Sequence, residues 1–145
     1  MKAEGWAILT AVCWGVGSLL EKQGVKIGGL TPVMGTVIRT TFSLLFLLAL
    51  SFPFWGQVKM AGVKSISMIA IGGGILAGGV GIISLYTALK SGKLSTVMTI
   101  AFCLAPVIGT ALGYFVLNEK LSAIQMLGIV LCISGAVLVT YFKQA

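Results

Sequence analysis

Residues 94–142 read LSTVMTIAFCLAPVIGTALGYFVLNEKLSAIQMLGIVLCISGAVLVTYF, and this stretch decides the fold. Two apolar runs, residues 97–117 and 124–142, lie either side of Asn118-Glu119-Lys120-Leu121. The first carries only weakly polar residues and one interior proline, Pro106, and the second carries no formal charge. Each is close to the ~20 apolar residues that cross a ~30 Å hydrocarbon layer. The residues between them leave room for a tight turn and nothing else. The stretch reads as a transmembrane helical hairpin, and the rest of the chain repeats its grammar.

The 145 residues are 58% hydrophobic and 9% charged, too little charge to cover the surface of a water-soluble fold. A net charge of +7 invites a nucleic-acid reading. The basic residues, however, stand singly at the ends of apolar runs, where lysines meet lipid headgroups. No nucleic-acid partner is expected; the bilayer is the expected surroundings. Cys13, Cys103 and Cys132 all fall inside predicted spans, without CxxC spacing, and the sequence has no histidine. They read as small apolar packing residues rather than metal ligands or disulfide partners. The first apolar run lacks a convincing small-residue cleavage site and is kept as a span rather than a signal peptide.

Taken in order, the predicted spans are residues 6–25, 33–52, 66–89, 97–117 and 124–142. The expectation is an all-α, polytopic membrane helical bundle of five transmembrane helices forming a single domain over residues 1–145, multi-pass in a cell membrane (inner or plasma). In the first span Thr10, Trp14, Gly17, Ser18 and Glu21 recur at helical spacing and share a face. In the second, Thr36, Arg39, Thr40 and Ser43 do the same. Lipid does not favour such stripes, so both should turn to the bundle interior. The third span holds Gly72, Gly73, Gly74, Gly78, Gly79 and Gly81; Gly74 and Gly78 form a GxxxG that lets backbones approach closely. Gly28, Gly29 and Pro32 read as a loop, and Pro53 and Gly56 as the end of the second helix. In the fourth span Thr99, Cys103, Pro106, Thr110 and Gly113 share a face; the fifth shows only Gly128, Cys132 and Gly135 as a small-residue stripe.

Pro106, Gly109, Gly113, Asn118-Glu119-Lys120-Leu121, Gln125, Gly128 and Gly135 stand in an order that resembles the C-terminal half of an EamA repeat, of the drug/metabolite transporter superfamily. The Gly128-to-Gly135 segment also resembles the dimerising last span of the related small multidrug resistance proteins. Trp14-Gly15, Arg39 and Leu85-Tyr86-Thr87-Ala88-Leu89-Lys90 resemble further features of EamA spans one, two and three. The resemblance covers one repeat, where many family members fuse two. It implies a transporter rather than an enzyme, with no cofactor. The essential membrane glutamate of small multidrug exporters would fall near Ala11, so a drug-cation antiporter built on that carboxylate is not expected.

Five spans put the termini on opposite sides. Lys2, Lys59, Lys64 and Lys120 then face Lys22, Lys26, Lys90, Lys93 and Lys143, a slight bias for the positive-inside rule to act on. Dual topology is therefore expected: copies inserted both ways pair as an antiparallel homodimer and rebuild the inverted halves of an alternating-access carrier. Gly128, Cys132 and Gly135 are the expected interface, unless those small residues pack against the chain's own helices.

Glu21 and Arg39 are the charges that lie below the headgroups, where such residues face a cavity or a partner. Glu21 reads either as a proton- or cation-binding carboxylate or as a residue within a turn of the interface, paired with Lys22 or Lys26. The second is favoured because Lys22 follows immediately. Arg39 reads either as the receptor for an anionic substrate group or as an internal tie to Glu21 or to freed carbonyls. The expected substrate-binding set is Trp14, Ser18, Glu21, Thr36, Arg39, Thr40, Tyr86, Thr99 and Thr110. Without histidine no nucleophile–base–orienter set exists, and no Gly-rich loop opens a phosphate site. The sequence supports a carrier of a small metabolite. The alternatives are a subunit of a heterodimeric lipid-linked sugar flippase and a non-transporting membrane scaffold, against which the polar stripes argue.

Overall fold

A computed structural model describes residues 3–142; Lys2 and Lys143, both in the charge comparison above, lie outside the described residues. The chain is all-helical: α1 (Ala3–Gly28), α2 (Pro32–Ser51) prolonged by a 3-10 turn (Phe52–Phe54), α3 (Gly56–Ile69), a π-helical stretch (Ala70–Gly81), α4 (Ile82–Ser91), α5 (Leu94–Leu117) and α6 (Ala123–Tyr141). Among the described residues, five helices are long and apolar enough to cross a membrane: Ala3–Gly28, Pro32–Phe54, Gly56–Ser91, Leu94–Leu117 and Ala123–Tyr141. Helices satisfy their own backbone groups, so hydrocarbon tolerates them where it excludes loops. Large side chains such as Phe42, Phe46, Ile75 and Leu112 point outward in the manner of lipid-facing residues.

The helices outrun the predicted spans for local reasons. α1 continues to Gly28 and stops where Gly29 takes φ 58; the Leu30 N–H then reaches the Val25 carbonyl at 3.1 Å. Thr31 caps α2 by accepting from the Met34 N–H at 3.3 Å, and Pro32 starts the helix. Pro53 does not end the second span in an open loop, because proline is tolerated in a first turn. The chain tightens into the 3-10 turn and re-enters helix at Gly56. The third helix therefore runs from Gly56 to Ser91, 36 residues, longer than a bilayer needs. It is broken at Gly62 (φ 73), which separates its first turns from the crossing portion. The glycine-rich stretch is π-helical over 12 residues, where most π-helices are single-turn bulges. A Cβ on Gly78 would stand 2.8 Å from the Gly73 carbonyl oxygen of the same helix, and one on Gly74 would meet nothing. The GxxxG thus serves the wide turn of its own helix rather than a close approach by a neighbour.

The chain divides into two compact units, up to Ser91 and from Gly92. In the first, α1, α2 and α4 pack around Val25, Ile82 and Tyr86. Gly35 makes this possible. A Cβ there would lie 2.6 Å from the Tyr86 ring and 3.1 Å from Val25. In the second, α5 and α6 form an antiparallel hairpin. Asn118, in the left-handed conformation, ends α5, and Ser122 opens α6 with a reciprocal box: its hydroxyl accepts from the Gln125 N–H while the Gln125 side chain accepts from the Ser122 N–H.

Gly35→Ala should therefore destabilise the protein by about 1–3 kcal/mol, since the ring it strikes is itself buried. Gly24→Ala, which would meet nothing within 4 Å, should leave stability unchanged. Thermal unfolding of both variants in detergent checks the pair; equal stability would show that Gly35 is not a packing point.

Candidate functional site

The face of α1 that carries Trp14 and Ser18 continues through Glu21 and Val25 at spacings of three or four, with Lys22 and Lys26 each one position further on. Glu21 lies seven residues before the end of α1, and Arg39 seven residues after the start of α2. At 1.5 Å per residue both sit roughly 10 Å from the turn that joins the helices. Antiparallel neighbours place equal offsets at equal depth. The Arg39 Nε donates to a Glu21 carboxylate oxygen at 2.8 Å.

This settles the partner of each charge. Glu21 is two turns from the end of its helix, not within one, and its carboxylate pairs with Arg39, where Lys22 or Lys26 was the expected partner. The Arg39 guanidinium carbon also stands 5.8 Å from the centre of the Trp14 ring, within the range of a cation–π contact. Tyr86, from α4, is only 3% exposed and turns its hydroxyl to the Glu21 carboxylate. The pair is not sealed: the Arg39 and Glu21 side chains keep 31% and 20% of their exposure.

Two openings adjoin the pair. One, about 250 Å³, is lined by Glu21, Lys22, Lys26, Tyr86 and Lys90, with Val25 and Leu89 as its apolar wall. The other is a groove of about 350 Å³ that includes Arg39, Gly35 and Phe42, and it shares Glu21 and Tyr86 with the first. The Lys90 ammonium donates to the Leu30 carbonyl at 3.2 Å, tying the end of α4 to the α1–α2 turn.

Of the substrate-binding residues expected from sequence, the structure thus brings together Trp14, Glu21, Arg39 and Tyr86. Ser18 is buried, and Thr36 is buried with its hydroxyl donating to the Pro32 carbonyl at 2.9 Å. Thr40 is exposed. Thr99 and Thr110 belong to the second unit, where Thr110 lines a cleft with Pro106, Glu119, Gln125, Gly128 and Cys132. Glu119 is more than a turn residue, for its carboxylate folds back over Gly113, where a Cβ would lie 2.7 Å from it. In the small-residue stripe of α6, Cys132 faces α5, its thiol 3.8 Å from the Cys103 carbonyl oxygen. A Cβ on Gly128 or Gly135 would meet nothing within 4 Å.

Sequence reasoning did not single out Gly35 or the convergence of Lys22, Lys26 and Lys90. A signal existed for the first, since Gly35 lies one turn before Arg39 on the same face. For the lysines only half the signal was present: Lys22 and Lys26 share a face with Glu21, but nothing in the sequence brings Lys90 beside them.

A profile of the EamA-like transporter family matches residues 1–141, which contain all five candidate spans. No curated protein and no solved structure matches the chain.

If the ion pair holds α1 against α2, the energies of Glu21→Gln and Arg39→Gln should not add. Each alone strands one charge, and the double variant strands none, so a coupling of about 1–3 kcal/mol is expected. Unfolding of the two single variants and the double variant measures it; additive losses would show that the pair carries no mutual stabilisation.

Proposed function

The chain belongs to the EamA-like transporter family, and from that premise we propose that it carries a small metabolite across the membrane by alternating access, as an antiparallel homodimer. The observation that carries this reading is the Glu21–Arg39 pair, which is held inside two spans with both side chains only partly covered. A charge pair within a membrane costs free energy to bury and usually marks a pathway. A scaffold needs neither the charges nor the openings beside them.

The residues assigned to the substrate are Trp14, Ser18, Glu21, Thr36, Arg39 and Tyr86 in the first unit. Thr99 and Thr110, on α5, are assigned to the substrate within the second unit taken by itself, the chain being read as a single domain over residues 1–145; Thr40 is assigned more weakly because it is exposed. An anionic group entering the groove competes with Glu21 for the planar guanidinium, which grips a carboxylate or phosphate through two parallel bonds. Exchange of partner by Arg39 loosens α1 from α2. That gives two states with different contacts, as alternating access requires.

The second half of the carrier is a copy inserted upside down. The slight lysine bias across the membrane supports insertion both ways. Gly128 and Gly135 leave room for a second helix to approach α6, while Cys132 is engaged with α5. The interface is therefore assigned to the two glycines, with Cys132 beside them.

Two measurements test these statements. Protein reconstituted in liposomes should show solute-dependent flux with a panel of labelled amino acids, sugars and phosphate esters. Arg39→Lys should reduce that flux at least tenfold while keeping the melting temperature, because lysine retains the charge but not the fork. Full activity in Arg39→Lys would leave Arg39 a structural tie. For topology, single cysteines at positions 1 and 145, with Cys13, Cys103 and Cys132 replaced by alanine, should each react with impermeant reagent from both sides. Labelling of each terminus from one side alone would replace the homodimer by a heteromer with a partner of opposite bias.

A further inference from the structure

Taken by itself, the second unit holds a cleft of about 400 Å³ between α5 and α6. Glu119 is the one charged residue lining it, and among the described residues its carboxylate has no ion-pair partner. Lys120, next in the chain, is not part of the lining. A turn glutamate with no role extends into water. Glu119 instead bends back over the buried backbone of Gly113, where a Cβ would lie 2.7 Å from its carboxylate oxygen. The bare glycine is what leaves room for the charge at this place.

Two further oxygen-bearing side chains line the same space. The Thr110 hydroxyl has no hydrogen bond among the described residues, whereas Ser134 and Thr140 on α6 donate theirs to carbonyls four residues back. Gln125 is held by the bond it accepts from the Ser122 N–H at 2.8 Å, which uses one of the two lone pairs on its amide oxygen. Val107, Leu121 and Ile129 supply an apolar wall.

We infer that this cleft is a binding site for a primary ammonium group carried on a short apolar stem. The ammonium lies against the Glu119 carboxylate and donates its other hydrogens to Thr110 and Gln125, while the stem lies along Val107 and Ile129. One carboxylate answers one positive charge, and a primary ammonium brings three donors to these acceptors. A quaternary ammonium has no hydrogen to donate and is recognised by aromatic faces, of which the lining has none. A bare metal ion would leave most of the volume, and the apolar wall, unused. The ammonium can arrive on a soluble amine or on a lipid headgroup, and the chemistry at Glu119 is the same. Binding requires nothing of the transport reading; only the assignment of Thr110 to a transported solute rests on it.

Calorimetric titration of the purified full chain in a neutral detergent tests the site, with n-butylamine as probe and butyltrimethylammonium as its control. Butylamine should bind about tenfold or more tightly than the control, and Glu119→Gln should weaken it by a similar factor. Glu4→Gln, at an exposed acid in the first turn of α1, should change affinity less than about twofold. Should Glu119→Gln fail to fold, Gly113→Ala replaces it. That variant keeps the charge but pushes the flexible carboxylate off its place, and affinity should still fall about threefold or more. No binding of butylamine, equal binding of its control, equal loss in the Glu119 and Glu4 variants, or unchanged affinity in Gly113→Ala overturns the inference. Lysophosphatidylethanolamine binding far more tightly than both butylamine and lysophosphatidylcholine would place the ammonium on a lipid; any other order places it on a soluble amine. Butylamine binding without flux of any solute would instead remove the transport reading and leave the site standing.

Discussion

A charge inside a membrane must find a partner, and the first unit is arranged around that requirement. Arg39 lies roughly 10 Å along its helix, and Glu21 answers it at 2.8 Å. Because both residues are seven positions from the α1–α2 turn, the pair fixes the register of the two helices. Trp14 extends the contact up α1 and Tyr86 brings in α4. The bare backbone of Gly35 lets the Tyr86 ring come close enough to complete the cluster. One electrostatic need thus recruits three helices.

The same cluster is left partly open, and here stability and function pull apart. A fully apolar packing of α1 against α2 would avoid the cost of desolvating two charges, which often equals or exceeds what their attraction returns. Keeping them, and keeping them reachable, is understandable if a solute exchanges places with one of them. The family to which the chain belongs transports solutes and is not enzymatic, and nothing in this cluster calls for covalent chemistry.

Glycine loosens the regular winding of the third helix. The stretch Ala70–Gly81 widens into π-helical turns and Gly62 breaks the helix before it, whereas α5 runs on through Pro106 without a break. A wide, side-chain-poor turn has little packing to lose when it bends. Tyr86 and Lys90, at the far end of the same helix, are by contrast held, the first against Gly35 and the second on the Leu30 carbonyl.

Sequence alone determined that the chain is helical and crosses a membrane five times. Length and apolarity of a run decide that, whatever its neighbours do. It also placed Trp14, Ser18 and Glu21 on one face and Thr36 and Arg39 on another, because helical periodicity is local. The tie of Arg39 to Glu21 stood among the readings of Arg39, since a short turn sets equal offsets side by side; for Glu21 itself the helix end, misplaced at Val25 instead of Gly28, hid its depth. What only the tertiary structure decided is what meets across helices: Tyr86 against Gly35, Lys90 beside Lys22 and Lys26, and Cys132 turned to α5. Those contacts join residues up to 68 positions apart, counted from Lys22 to Lys90. No local period carries information over that distance; only the packing of one helix on another does.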